Sequence, residues 1–167
     1  MSVSFALKKG GARLPSEVAL DSAASRSTKK NGKKSCALVL EQDRKDFLIE
    51  RNGERCAGAH LLIDLKGASR LDDIDYIDMV LRSCVTAAGA TLLHIHLHHF
   101  TPNGGVSGVA VLAESHISIH TWPEYGYAAL DVFMCGNTQP HNTIEVLRNA
   151  FQPAEIAVEE RLRGIGL

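Results

Sequence analysis

Thr91-Leu92-Leu93-His94-Ile95-His96-Leu97-His98-His99-Phe100, running into Thr101-Pro102-Asn103-Gly104-Gly105, is the stretch whose reading decides the fold. Leu93, Ile95 and Leu97 alternate with His94, His96 and His98, the period of a strand with one apolar face. The Pro-Asn-Gly-Gly cluster is turn chemistry, so Val106, Val109, Val111 and Leu112 read as the return strand of a hairpin. Ile117 and Ile119 alternate with His116, Ser118 and His120 in a further short strand that Trp122, Pro123 and Glu124 interrupt, and Ala128 to Met134 reads as another.

On the N-terminal side, Ala59 to Lys66 reads as a largely buried strand ended by Gly67. From Leu71 to Ala88 the apolar spacing turns helical, with Leu71, Ile74, Ile77, Leu81 and Cys84 on one face and Val80 and Val85 beside them. Asp72, Asp73, Asp75 and Asp78 load its first turns, Ser69 or Asp72 is the expected cap, and Gly89 stops it. On the C-terminal side Ile144, Leu147 and Phe151 predict a helix over Asn142 to Phe151 ended by Pro153, and a last strand is expected near Ile156 to Glu160. The order strand, helix, three or four strands, helix, strand predicts an α/β protein of the α+β type. Its antiparallel sheet carries the helices on one face, in a two-layer sandwich protomer.

With 167 residues, 45% apolar and 22% charged, the chain has the profile of an ordinary globular protein. Its net charge of −1 is unevenly placed. Residues 1–34 hold eight Lys/Arg against Glu17 and Asp21, a net +6, and the remainder holds ten basic and seventeen acidic groups, a net −7. A basic, Ser-rich start without apolar periodicity cannot offset its ordering entropy by burial, so residues 1–34 are expected to be a disordered arm and 35–167 a single domain. The arm reads as a solvated extension, and no nucleic-acid or membrane partner is expected. Nothing approaches the roughly 20 apolar residues of a membrane-spanning helix, and the arm lacks the apolar core of a secretory signal, so a cytoplasmic protein is expected. Cys36, Cys56, Cys84 and Cys135 show no Cys-x-x-Cys spacing, which argues against disulfides and a Cys-based zinc site.

Two clusters carry candidate chemistry. Alternate histidines such as His94, His96, His98 and His99 can converge on a metal, but no carboxylate sits at a matching spacing, and no metal site is expected there. Glu114-Ser115-His116-Ile117-Ser118-Ile119-His120, followed by Thr121-Trp122-Pro123-Glu124, gathers two serines, two histidines and two glutamates between strands, a convergence of nucleophilic and titratable groups. Taken singly, Cys135 reads as a small buried apolar residue, Trp122 and Phe100 as core or interface aromatics, and Glu124 as a solvated loop charge.

The joint pattern reads differently. Glu114-Ser115-His116, Ile119-His120-Thr121-Trp122-Pro123-Glu124, Gly126-Tyr127-Ala128-Ala129-Leu130-Asp131 and Phe133-Met134-Cys135-Gly136 resemble the prokaryotic pyruvoyl-dependent S-adenosylmethionine decarboxylase proenzymes. So do Gly105-Val106-Ser107-Gly108-Val109 and Gly58-Ala59-His60-Leu61-Leu62 upstream, and the resemblance spans roughly residues 56–160.

The resemblance implies self-cleavage between Glu114 and Ser115 into chains 1–114 and 115–167. Ser115 becomes a covalently formed pyruvoyl group whose ketone forms a Schiff base with the substrate amine. His120 matches the processing base, Ser107 a hydroxyl assisting processing, and Cys135 the donor of a proton to the α-carbon. Glu124 matches a carboxylate that holds ribose hydroxyls, and Phe100 an aromatic that stacks on adenine. It further implies a homodimer of cleaved protomers with sites near the interface, decarboxylating S-adenosylmethionine for spermidine synthesis. The alternatives are a pyruvoyl-dependent ornithine or arginine decarboxylase, and an uncleaved, noncatalytic protein that binds a metal or a partner. Strand parity adds a condition: Ser115 and His120 point to opposite faces, so His120 reaches Ser115 only if the chain bends at Glu114-Ser115, which places the cleavage point at a strand entrance or kink.

Overall fold

A computed structural model describes residues 47–51 and 53–167. The arm expected over residues 1–34, the start of the expected domain and Cys36 lie outside the described residues.

The elements in chain order are β1 (Ile49–Arg51), β2 (Glu54–Cys56), β3 (Gly58–Lys66), α1 (Ile74–Ala87), β4 (Leu92–His99), β5 (Val106–Leu112), β6 (Ser115–Trp122), a 3-10 turn (Pro123–Tyr125), β7 (Tyr127–Met134), α2 (Asn142–Phe151) and β8 (Glu155–Arg163). Strands β3 to β8 form one antiparallel sheet in the order β4-β5-β6-β7-β3-β8. Both helices lie on one face of it. Leu61, Ile63 and Leu65 of β3, Ala110 and Leu112 of β5, Ile117 and Ile119 of β6, and Leu130 and Val132 of β7 meet Ile77, Leu81, Cys84, Leu147 and Phe151 in one core. Each fully buried aliphatic or aromatic side chain contributes about 1.5–3 kcal/mol, so this layer holds the sheet to the helices. The two-layer α+β architecture is the one expected from the sequence.

Local details depart from expectation where neighbours outcompete propensity. Helix α1 is capped by Asp73, whose Oδ1 accepts from the Tyr76 N–H at 3.0 Å, and not by Ser69 or Asp72. Ser69 is drawn off because its hydroxyl donates to the Phe151 carbonyl at 3.1 Å, and Leu71 is buried ahead of the helix. The alternation in β4 is broken by a register shift between Leu92 and His94, which leaves Leu93 64% exposed while Ile95 and Leu97 pack against the core. Strand β8 is longer than expected because it pairs with β3 along that strand's whole length. The small β1–β2 hairpin, three residues a side, left no alternating signal in the sequence.

Because helices cover one face only, the other face of the sheet carries the alternate side chains. These include Ser107 and Val111 of β5, His116, Ser118, His120 and Trp122 of β6, Tyr127, Asp131 and Phe133 of β7, and His60, Leu62 and Asp64 of β3.

Candidate active site

Strand β6 begins immediately after a hairpin in which Leu112 pairs with Ser115, leaving Ala113 and Glu114 to turn the chain. Glu114 takes φ +65°, a left-handed conformation that costs an L residue other than glycine about 1–2 kcal/mol. The peptide unit that follows leads into Ser115, 7% exposed, so the chain turns at the entrance of β6.

Ser115 is held by the end of the neighbouring strand. Its hydroxyl oxygen accepts from the Cys135 N–H at 3.2 Å and lies 3.6 Å from the Cys135 sulfur, whose thiol donates to the Glu114 carbonyl. Cys135 follows the last residue of β7, and its own carbonyl accepts from the Thr138 hydroxyl at 2.9 Å. Glu114, Ser115 and Cys135, separated by 20 residues of sequence, thus form one compact centre around a single peptide bond.

The remaining candidates gather at the opposite end of the same strand. Ser107 and His120 are register partners, with Ser107 Oγ 2.8 Å from His120 Nδ1. Beyond them Phe100, Asn103, Gly105, Ser107, Thr121, Trp122 and Glu124 line an open pocket of about 310 Å³. Thr121 fixes its floor by donating to the Leu71 carbonyl and accepting from the Val106 N–H, each at 2.7 Å. Gly105 is required there because a Cβ would meet the Thr121 carbonyl at 2.8 Å. Glu124 is carried by the 3-10 turn, and Phe100, 48% exposed, packs on the edge of His98 with ring centroids 4.6 Å apart.

Five residues of extended strand span about 17 Å, and Ser115 shares the buried parity of Ile117, Ile119 and Thr121 while His120 points from the open face. The bend at Glu114 therefore does not bring His120 to Ser115 within one chain. One protomer holds two separate clusters, Glu114, Ser115 and Cys135 at one end and Phe100, Ser107, His120 and Glu124 at the other.

Between the clusters lies a network that sequence reading passed over. The His60 Nε2–H donates to Asp131 Oδ1 at 3.2 Å, and the Ser118 hydroxyl donates to Asp131 Oδ2 at 3.0 Å. His116 packs against Phe133, and its pKa is lowered, first by burial and then by His60, against the opposing pull of Asp131. Residues 71 positions apart give no local signal for such a pairing. His94, His96 and His98 are strung along the edge strand β4, and among the described residues no group of three His, Cys, Asp or Glu side chains is placed to hold a metal ion.

Comparison with known proteins gives concordant matches. The family model described as S-adenosylmethionine decarboxylase matches residues 59–164. The S-adenosylmethionine decarboxylase proenzyme of Thermomicrobium roseum is 44% identical over 109 residues, which are 65% of this chain and 94% of the relative. That of Methanococcus vannielii is 50% identical over 111 residues, 65% of this chain and 90% of the relative. Among solved structures, the adenosylmethionine decarboxylase of Aquifex aeolicus superposes with a TM-score of 0.59 at 36% identity, covering 66% of this chain and 92% of that one.

Proposed function

The chain belongs to the S-adenosylmethionine decarboxylase family, and from that premise we propose that it cuts its own backbone between Glu114 and Ser115 and uses the new terminus to decarboxylate S-adenosylmethionine for spermidine synthesis. The observation that carries this reading is the centre itself: a nearly buried hydroxyl, donated to by the Cys135 N–H, next to a carbonyl presented by a strained turn.

In the first step Ser115 Oγ bonds to the Glu114 carbonyl carbon, the amide C–N bond breaks, and the Ser115 nitrogen takes up the hydroxyl proton, giving an ester. Removal of the Ser115 α-proton then expels the Glu114 carboxylate. The unsaturated residue left behind tautomerises and loses its nitrogen to water as ammonia, which makes the pyruvoyl group. When formed, that group supplies an electron sink for the bond that releases carbon dioxide. Cys135, whose sulfur already lies 3.6 Å from Ser115 Oγ, is placed to return a proton to the α-carbon. Glu124 and Phe100 line a pocket suited to a ribose and a flat base, which favours S-adenosylmethionine over ornithine or arginine.

The separation of about 17 Å that five residues of strand impose between Ser115 and His120 favours a homodimer in which the Ser107–His120 pair of one copy serves the Ser115 centre of the other. The open sheet face supports this, since it leaves Leu62, Val111 and Trp122 more than a third exposed beside partly buried polar groups. A cytoplasmic setting accords with the free thiols of Cys56, Cys84 and Cys135 and with the absence, among the described residues, of a helix long and apolar enough to cross a membrane.

Mass spectrometry of the purified protein is the direct test. The expected products are one fragment ending at Glu114 and a second with a blocked residue 115, and carbon dioxide released from S-adenosylmethionine but not from ornithine or arginine. Ser115→Ala removes the acyl acceptor and is expected to leave the chain whole. Cleavage persisting in that variant, or an uncut and inactive wild type, refutes the reading.

A further inference from the structure

Residues 47–56 lie ahead of the stretch 59–164 that carries the family pattern, and the chemistry above gives them no part. They are nevertheless built into the fold. Ile49 pairs with Cys56 across β1 and β2, and the two pack with Ala59 and Leu162 in a small core of their own. The Cys56 thiol donates to the Ile49 carbonyl at 3.8 Å. The base of the hairpin is tied to the C-terminal segment, the Ala57 N–H donating to the Arg163 carbonyl at 2.7 Å and the Gly166 N–H to the Arg55 carbonyl at 2.9 Å.

This anchored segment holds the residue that follows Cys135. The Gly136 N–H donates to the Phe47 carbonyl at 2.7 Å, and a Cβ on Gly136 would stand 3.5 Å from the Phe47 ring, so the ring lies directly on that glycine. Gly136 also takes φ +64°, a conformation that a side chain there would oppose. The Cys135 carbonyl, in the same peptide unit as the Gly136 N–H, accepts from the Thr138 hydroxyl at 2.9 Å. Both polar groups of that planar unit are therefore fixed, which restricts the backbone angle from which the thiol projects. A polar cleft of about 220 Å³ separates Ile49, Glu50 and Arg51 from Asn137, Thr138 and Gln139, and the Phe47 contact bridges hairpin and loop beside it.

Maturation gives this contact its weight. In the uncut chain Cys135 is also held by its N–H on Ser115 Oγ and by its thiol on the Glu114 carbonyl. Both acceptors change in the proposed cut, because Ser115 Oγ leaves as one oxygen of the Glu114 carboxylate and Glu114 becomes a chain end. The Thr138 hydroxyl and the Phe47 carbonyl remain. Thr138 rides on the same loop, whose far end is pinned where the Gln139 N–H donates to the Ala88 carbonyl at 2.9 Å. Phe47 holds the end next to the thiol.

We propose that Phe47 is a positioning residue for Cys135 in the processed enzyme, aiming the thiol at the substrate α-carbon by holding Gly136, with the β1–β2 hairpin as its anchor. The inference rests on the self-cleaving decarboxylase reading. It adds a determinant from outside the shared motifs, one that acts on where the proton goes and not on whether substrate binds.

The test uses the full processed protein. After carbon dioxide leaves, a proton delivered to the α-carbon completes turnover. A proton delivered to the pyruvoyl carbon, followed by water releasing the substrate as an aldehyde, leaves residue 115 as alanine and stops the enzyme. Carbon dioxide released per enzyme before inactivation, read together with the mass of the 115–167 fragment, therefore measures how well the proton is aimed. Phe47→Ala is expected to be cut at wild-type yield and to keep KM within about twofold, while kcat falls about fivefold and turnovers before inactivation about tenfold. Phe47→Leu is expected to recover most of that loss. In a Cys135→Ala background the Phe47→Ala change is expected to have no further effect, since no thiol is left to aim. Wild-type turnovers before inactivation in Phe47→Ala, or an equal loss with and without the thiol, overturn the proposal. A merely structural role lowers the denaturant midpoint but leaves turnovers per processed enzyme unchanged. Should Phe47→Ala fail to fold, the wild type decides: the Gly136 amide of the processed protein is expected to exchange its hydrogen slowly by NMR, and exchange at the rate of an unprotected loop amide overturns the proposal. A wild type that is never cut, or that releases no carbon dioxide, overturns the decarboxylase reading and this inference with it.

Discussion

At the scale of single residues, Cys135 ties the two stages of the proposed reaction together. Before cleavage its backbone N–H holds Ser115 Oγ, a contact that any residue other than proline retains, and its thiol donates to the Glu114 carbonyl; in turnover the thiol is the proposed proton donor. Cys135→Ala is therefore expected to process, if more slowly, and to turn over about 10²-fold or more below wild type. Its small fragment is expected to lose activity during turnover as protons reach the pyruvoyl carbon and convert it to alanine, a change visible as a shift in fragment mass. Full turnover with an unchanged mass leaves Cys135 a packing residue. His116, next to the cleavage point, gives a pH prediction. Its folded-state pKa is lowered from an ordinary value of about 6.5, so the unfolded chain binds the proton more readily. The stability this group contributes is present above about pH 6.5 and is lost as pH falls through the folded value. Denaturant midpoints are expected to drop between pH 7.5 and 5.5, and less steeply in His116→Asn; parallel profiles for the two proteins contradict this.

At the scale of elements, the β5–β6 hairpin is the part that departs from ideal geometry. A turn closing two register-paired strands favours glycine or asparagine where φ is positive, yet Glu114 occupies that place. Relief of about 1–2 kcal/mol of strain, partly offset by the greater freedom of glycine in the unfolded chain, leads to a specific expectation. In a Ser115→Ala background, Glu114→Gly should raise the unfolding free energy by up to about 1 kcal/mol. In the cleavable chain the same substitution should slow processing, since the uncut state has been stabilised. A loss of stability in the uncleaved background shows that the turn carries no strain. Helix α2 illustrates the opposite case, where sequence and structure agree: Leu147 and Phe151 are fully buried, Gln152 ends the helix in the left-handed region, and Pro153 follows.

At the scale of the whole molecule, the distance between the Ser115 centre and the Ser107–His120 pair becomes a question of assembly. If each active centre draws on both copies, Ser115→Ala and His120→Ala chains are each defective alone but complementary together. Mixed dimers then contain one centre with the intact Ser115 of the His120→Ala chain facing the intact His120 of the Ser115→Ala chain. Co-expression is expected to restore cleavage of the His120→Ala chain and part of the decarboxylase activity, read by mass spectrometry and carbon dioxide release. Failure to complement, with mixed dimers demonstrated, places processing within a single protomer.

Much of this was legible in the linear chain. Alternation in β4 to β7, the helical spacing of Leu147 and Phe151, and the turn clusters are local properties, and local periodicity fixes which face of an element is apolar before any partner is known. The candidate residues Ser115, His120, Glu124 and Cys135 stood out only through the joint motif pattern and its family resemblance, since each taken singly reads as an ordinary strand, loop or packing residue. Competition among distant groups decided the rest. Asp73 caps α1 because Phe151 claims Ser69, and a register shift turned Leu93 outward. Asp131 joins His60 across 71 residues, and Tyr127 joins Asp64 across 63. The opposite parity of Ser115 and His120 followed from the alternation alone, but only the structure shows that β6 runs unbroken through both, so that the turn at Glu114 leaves them at its two ends. Sequence determined what each element is and which chemistry it carries; tertiary structure decided which of those groups can meet, since contact between distant positions is set by packing and register rather than by any local preference.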